Sequence, residues 1–114
     1  MKTVFILWWL SFIPALLVFK QTGTASYYAP KFHLRKTSSG EKYHKDSLTA
    51  AHKSLPFGTK LKVVNLSNQK SVIVRVNDRL PKKSKRVIDL SYAAAKQLDF
   101  IRKGLTKVEI SDEL

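Results

Sequence analysis

Between residues 71 and 77 the chain reads SVIVRVN, with Val72, Val74 and Val76 alternating with Ile73, Arg75 and Asn77. That period of two belongs to a strand with one face on a core. LKVVNL (61–66) precedes it, and Ser67-Asn68-Gln69-Lys70 between them is turn-rich, so the pair reads as a hairpin. TASYYA, RVIDL (86–90) and GLTKVEI (104–110) add further short strands. Two stretches read instead as short helices. Thr49 is placed to cap Ala50-Ala51-His52-Lys53-Ser54, and Ser91, or Asp89 before it, to cap YAAAKQLDF. Pro56 and Gly58 separate the first helix from the hairpin. Many short strands with two small helices predict a compact, mainly β barrel.

The N-terminus breaks this pattern. Residues 4–19, VFILWWLSFIPALLVF, carry no charge and follow Met1 and Lys2. Such a segment is slightly short for a spanning helix and long enough for the core of an export signal. No clean A-x-A site follows Phe19, and Gly23-Thr24-Ala25 overlaps the start of the folded part. Residues 1–22 are therefore expected to be a signal peptide or an uncleaved membrane anchor, 23–110 the folded domain, and 111–114 a tail. The tail, Ser111-Asp112-Glu113-Leu114, resembles an endoplasmic-reticulum retention tetrapeptide by coincidence.

Charge narrows the choice of partner. Lys and Arg total 21 against 8 Asp and Glu, a formal charge of +13. That excess favours a polyanion: nucleic acid, an anionic membrane surface or an acidic wall polymer. Nucleic acid is disfavoured, because the bases are spread along the chain and form no binding motif. With no cysteine, disulfides, thiolate metal sites, a cysteine nucleophile and a lipidated cysteine are all excluded. His33, His44 and His52 show no zinc-ligand spacing, so neither metal nor cofactor is expected.

The candidate chemistry lies in RVNDRLPKKSKRVIDLS, residues 75–91. By alternation Asp78 ends the valine row, where desolvation raises a carboxyl pKa and suits it to act as a general acid. The alternative is a turn-forming aspartate bonded to backbone ahead of Leu80-Pro81. Asp89 reads as a helix cap or as a partner for buried backbone and is left out of the catalytic set. Glu41 in a small-residue loop reads as solvated, and His52 after two alanines as a packed side chain.

Three stretches, GTASYYAP (23–30), TSSGEKYHKDSLTAAHKSLPFGTKLKVVNLSNQKSVIVRVNDR (37–79) and RVIDLSYAAAKQLDF (86–100), closely resemble the rare lipoprotein A (RlpA) family of septal-ring lytic transglycosylases. The resemblance covers roughly 23–110. It implies a six-stranded double-psi β-barrel that cleaves peptide-stripped peptidoglycan glycan strands, leaving 1,6-anhydro-N-acetylmuramic acid ends without water. It places the functional positions on Glu41, His52 and Asp78. Asp78 would be acid and then base, with Glu41 stabilising charge or positioning substrate and His52 orienting a carboxyl or the sugar. Tyr27, Tyr28, Asn77 and Arg79 are the expected substrate contacts. The implied partner is the glycan strand in the periplasm or cell envelope, with no obligate protein partner. Where the family has NDRGP, this chain has Leu80, a departure expected to move the loop after Asp78. The rival class is a non-catalytic polysaccharide-binding module of the expansin or barwin-like barrel type.

Overall fold

The computed structural model describes residues 18–114. The apolar segment read as an export signal or anchor lies, but for its last two residues, outside the described residues. Among the described residues no helix is long and apolar enough to cross a membrane.

Six strands close into a barrel. They are β1 (Lys20–Tyr27), β2 (Thr49–His52), β3 (Lys60–Asn65), β4 (Ser71–Arg79), β5 (Ile88–Leu90) and β6 (Thr106–Ser111). Around the barrel the order is β1-β5-β2-β4-β3-β6, and β6 returns to β1. The β1/β5 and β2/β4 pairs run parallel and the other four antiparallel. This is the six-stranded double-psi β-barrel. Among the described residues a 3-10 turn at Pro30–Phe32 and one α-helix, α1 (Tyr92–Gln97), complete it.

The alternation in the sequence builds the interior. Val72, Val74 and Val76 of β4 turn inward with Leu61 and Val63 of β3, Val108 and Ile110 of β6, and Ile88 and Leu90 of β5. Branched side chains suit a pleated, closely packed wall. Gly23 is the tight point of β1, since a Cβ there would lie 2.4 Å from Val87 Cγ1. β1 starts at Lys20, three residues ahead of the expected Gly23 boundary, and β6 takes in Ser111.

One of the two expected helices is a strand. Thr49–His52 forms β2, wholly buried and paired with β4 on one side and β5 on the other. Alanine is the best helix former, but propensity is a weak preference, and hydrogen bonding on both edges outweighs it. The other helix forms, and Ser91 is its cap, its Oγ accepting from Ala94 N at 3.2 Å.

Leu80 does not need the backbone freedom of glycine. Among the described residues the non-glycine positions with positive φ are Leu34, Gln69 and Asp99. Leu80 is 5% exposed, and its N–H donates to the His52 carbonyl at 3.3 Å. Leucine here fills the space with side chain.

Candidate active site

The site is a row of residues laid across four strands. Ala51 of β2 is the register partner of Asp78 on β4 and of Asp89 on β5, and Asp89 in turn faces Ser26 on β1. Register partners project to one side of a sheet. Asp78, Ala51, Asp89 and Ser26 therefore point the same way, with only a methyl group between the two carboxyls. A cleft of about 340 Å³ lies over them. Tyr28, Tyr43, Leu80 and the basic side chains Arg35, Lys36, Arg79 and Arg86 line it.

A β-bulge puts Asp78 in this row. Ala50 pairs with Val76, but Ala51 pairs with Asp78, so Asn77 is an extra residue. The alternation slips there, and Asp78 leaves the valine face on which simple counting placed it.

The pKa of Asp78 also departs from expectation. Burial is its largest single influence and pushes it up. The Tyr28 hydroxyl donates to Oδ2, while the backbone N–H groups of Ser38 and Arg79 each donate to Oδ1 at 2.9 Å. Together these donors outweigh burial and hold the carboxyl below its ordinary value. Asp78 is thus an ionised carboxylate at neutral pH. Burial, then the hydrogen bond to Asp78, drives the Tyr28 phenol strongly upward, so it stays a donor.

Glu41 works one step back. Arg75 forks onto its two oxygens at 2.9 and 2.7 Å, and Asn77 Nδ2 donates to Oε1 at 2.8 Å. These bonds from Arg75 and then Asn77 lower its pKa to about 2. The same loop sends Ser39 N–H to the Asn77 carbonyl at 3.3 Å and Ser38 N–H to Asp78. Gly40, at φ 93°, makes the turn between them. Residues 37–41 are thereby fastened to the bulge, and Asp78 receives a donor it could not otherwise reach.

His52 neighbours Ala51 and, by alternation, turns to the opposite side. It is 3% exposed. Its Nδ1 accepts from Ser54 N and Leu55 N at 3.1 Å each, so Nε2 carries the proton and meets Gln21 Oε1 at 3.0 Å. Burial, then the Arg79 and Lys53 charges, lowers its pKa and keeps it neutral. Tyr27 also lies off the cleft: its hydroxyl donates to the Ile101 carbonyl at 2.6 Å, and its ring packs edgewise on Phe100 and Tyr92. Arg79 lines the cleft with its guanidinium 4.2 Å from the centre of the Phe57 ring.

The reading of the sequence left out Asp89. Ser91 does the capping, and Asp89 is half-buried in the cleft wall instead. Its Oδ1 accepts from Ser26 Oγ at 2.9 Å, and Arg86 Nη1 donates to that same Oγ at 2.6 Å. Burial raises its pKa, Ser26 and Arg86 oppose the rise, and the Asp78 charge adds to it. The signal in the sequence was a carboxylate on a strand that has a better cap two residues later. Among the described residues no group of three or more His, Cys, Asp or Glu is placed to hold a metal ion.

Fold and site together define a six-stranded double-psi barrel with two carboxyls in a basic, tyrosine-walled cleft. The chain belongs to the lytic transglycolase family, whose sequence pattern matches residues 20–110. It is 53% identical over 92 residues to the endolytic peptidoglycan transglycosylase RlpA of Neisseria meningitidis, covering 81% of this chain and 38% of that one. The RlpA of Campylobacter jejuni is 49% identical over 102 residues, with 88% and 37% covered. For that of Pseudomonas aeruginosa the figures are 52% over 92 residues, with 81% and 27% covered. The chain thus spans less than two fifths of the length of these relatives. Among solved structures, Streptomyces papain inhibitor superposes with a TM-score of 0.63 at 24% identity, covering 81% of this chain and 92% of that one. A mutant Clavibacter michiganensis expansin in complex with cellohexaose also gives 0.63, at 19% identity, covering 81% and 49%. These two likenesses concern the fold.

Proposed function

We propose that this chain is an endolytic peptidoglycan lytic transglycosylase. It cleaves the bond between N-acetylmuramic acid and N-acetylglucosamine in peptide-stripped strands and leaves 1,6-anhydro ends. The observation that carries this reading is Asp78, held as a carboxylate in an open cleft, in a chain about half identical to named peptidoglycan transglycosylases. The cleft's basic lining, Arg35, Lys36, Arg79 and Arg86, complements the lactyl carboxylates of a muramic acid polymer. Tyr28, at its wall, offers a face to a sugar ring.

In this reading Asp78 stabilises the positive charge that develops at the anomeric carbon, the work of a fixed, unprotonated carboxylate. Glu41 is a positioning residue acting through Arg75, Asn77 and the loop that gives Asp78 the Ser38 N–H. His52 holds the turn after β2 and so the strand that carries Ala51. Asn77 and Arg79 border the reaction centre, and Tyr27 supports the wall behind Tyr28. The enzyme operates in the cell envelope, where its polymer lies, reached through export by the N-terminal apolar segment.

The test is digestion of peptide-stripped glycan strands with mass spectrometry of the products. Wild-type protein should release anhydro-ended sugars, and Asp78→Asn should lose them by at least about 100-fold while still binding strands. Binding without cleavage by the wild type would favour the non-catalytic module.

A further inference from the structure

The three donors on the Asp78 carboxyl suit it to stabilise charge rather than to supply a proton. Three donors hold it ionised, and a group that must protonate a leaving oxygen needs a proton at rest. Glu41 is bound by Arg75 and Asn77, and His52 faces away from the cleft. Asp89 is the other carboxyl in the same row, on the same side and over the same cavity.

We propose that Asp89 is the general acid and then the general base of the reaction, working across Ala51 from Asp78. This rests on the transglycosylase reading above. The two residues are two strand spacings apart, so their Cα atoms are separated by about 10 Å, and Ala51 puts only a methyl group in the gap. Both carboxyls open onto the same cleft, where a pyranose would lie. Asp89 gives its proton to the glycosidic oxygen as the C1–O bond breaks, and the N-acetylglucosamine leaves as an alcohol. The muramoyl C6 hydroxyl then closes on C1 from the face the leaving group vacated, and its proton passes to the Asp89 carboxylate. Asp89 ends protonated as it began, no water is consumed, and Asp78 stays charged throughout.

The Ser26 and Arg86 contacts fit that role. Arg86 Nη1 donates to Ser26 Oγ, and the Ser26 hydroxyl donates a hydrogen bond to Asp89 Oδ1, which leaves Oδ2 free to carry and return the catalytic proton. The titratable and charged groups facing Asp89 are Asp78 across Ala51, Arg86 in the connection before β5, and Tyr28 and Tyr43 in the wall, while Arg35, Lys36 and Arg79 line the same cleft. A sugar covering the cleft removes more water and favours the protonated acid further.

The experiment is product release by the full chain from peptide-stripped strands, measured against pH, with strand binding and thermal unfolding measured in parallel. Asp89→Asn is expected to lower release at least about 100-fold with binding retained, and a smaller loss overturns the assignment. Wild-type activity should fall on its basic side as Asp89 ionises. Ser26→Ala removes a donor to that carboxylate, so this limb should move up by about half to one pH unit. An unmoved limb overturns the assignment, and this profile decides alone if Asp89→Asn does not fold. A wild-type chain that binds strands but releases no anhydro ends overturns the transglycosylase reading, and this assignment with it. An active wild type beside an active Asp89→Asn overturns the assignment alone.

Discussion

Tyr28 directs its hydroxyl proton at Asp78 Oδ2 while its ring lies stacked on Tyr43, with centroids 4.3 Å apart and planes 14° from parallel. One side chain thus sets the charge of the carboxylate and shapes the cleft wall. In Tyr28→Phe the wall persists and the donor goes. The pKa of Asp78 should then rise, because the lost bond lowered it. The acid limb of the pH–rate profile belongs to Asp78, so it should move to higher pH, by about half to one unit for one hydrogen bond. A profile of the variant overlying the wild type would contradict the role given to Tyr28.

Glu41 tests the distinction between holding and reacting. The Arg75–Glu41 pair is exposed, and such pairs contribute about 0–1 kcal/mol. Glu41→Gln should barely change the unfolding midpoint at neutral pH. It loosens the loop that offers Ser38 N–H to Asp78, so kcat should fall by about 10- to 100-fold with little change in KM. The folded pKa of Glu41 is depressed to about 2, so its contribution to stability is present above the ordinary carboxyl value and is lost as pH falls toward 2. Acid titration of wild type and variant should therefore converge at the low end.

His52 should behave as structure. It satisfies the Ser54 and Leu55 N–H groups and meets Gln21, so His52→Ala removes a buried ring and leaves two partly buried donors without their acceptor, and should cost about 2–4 kcal/mol in urea unfolding. Its folded pKa is depressed, so the neutral form favours folding above the unfolded value of about 6.5, and that advantage drains as pH falls below it. The variant should lose this part of the pH dependence. Activity per folded molecule that survives in His52→Ala would agree with its place outside the cleft.

At Leu80 the family residue should be worse than the native one. Leu80→Gly removes a buried side chain from a backbone that has no need of glycine, and should destabilise by about 2–4 kcal/mol. A gain in stability on that substitution would mean that the leucine is strained.

These cases mark where residue order carries structure and where it does not. The β3–β4 hairpin was legible because Val72, Val74 and Val76 repeat at the spacing of a pleat. β2 was not, because Thr-Ala-Ala-His is a good helix start in isolation, and only its two partner strands decide otherwise. Asp78 was singled out in the sequence but assigned to the wrong face, since a single extra residue, Asn77, is invisible to a count of alternation. Its pKa was misjudged with it, because Tyr28 and Ser38, two of its three donors, lie 50 and 40 residues away in the chain. Asp89 was hidden by a good local explanation, the helix start that Ser91 supplies. Spacing brought Glu41 and His52 to notice only through the family resemblance.

Closure of the barrel has a further consequence in time. β1 at Lys20–Tyr27 takes its antiparallel partner from β6 at Thr106–Ser111, so the earliest strand made waits for the last. Until then β1 has only the three-residue β5 beside it, which is too little to hold a ring shut. Loop-closure entropy across the whole domain must be met before the final seam forms, which makes for slow, all-or-none folding. A chain emerging residue by residue therefore remains an open, threadable polymer until its C-terminal strand arrives.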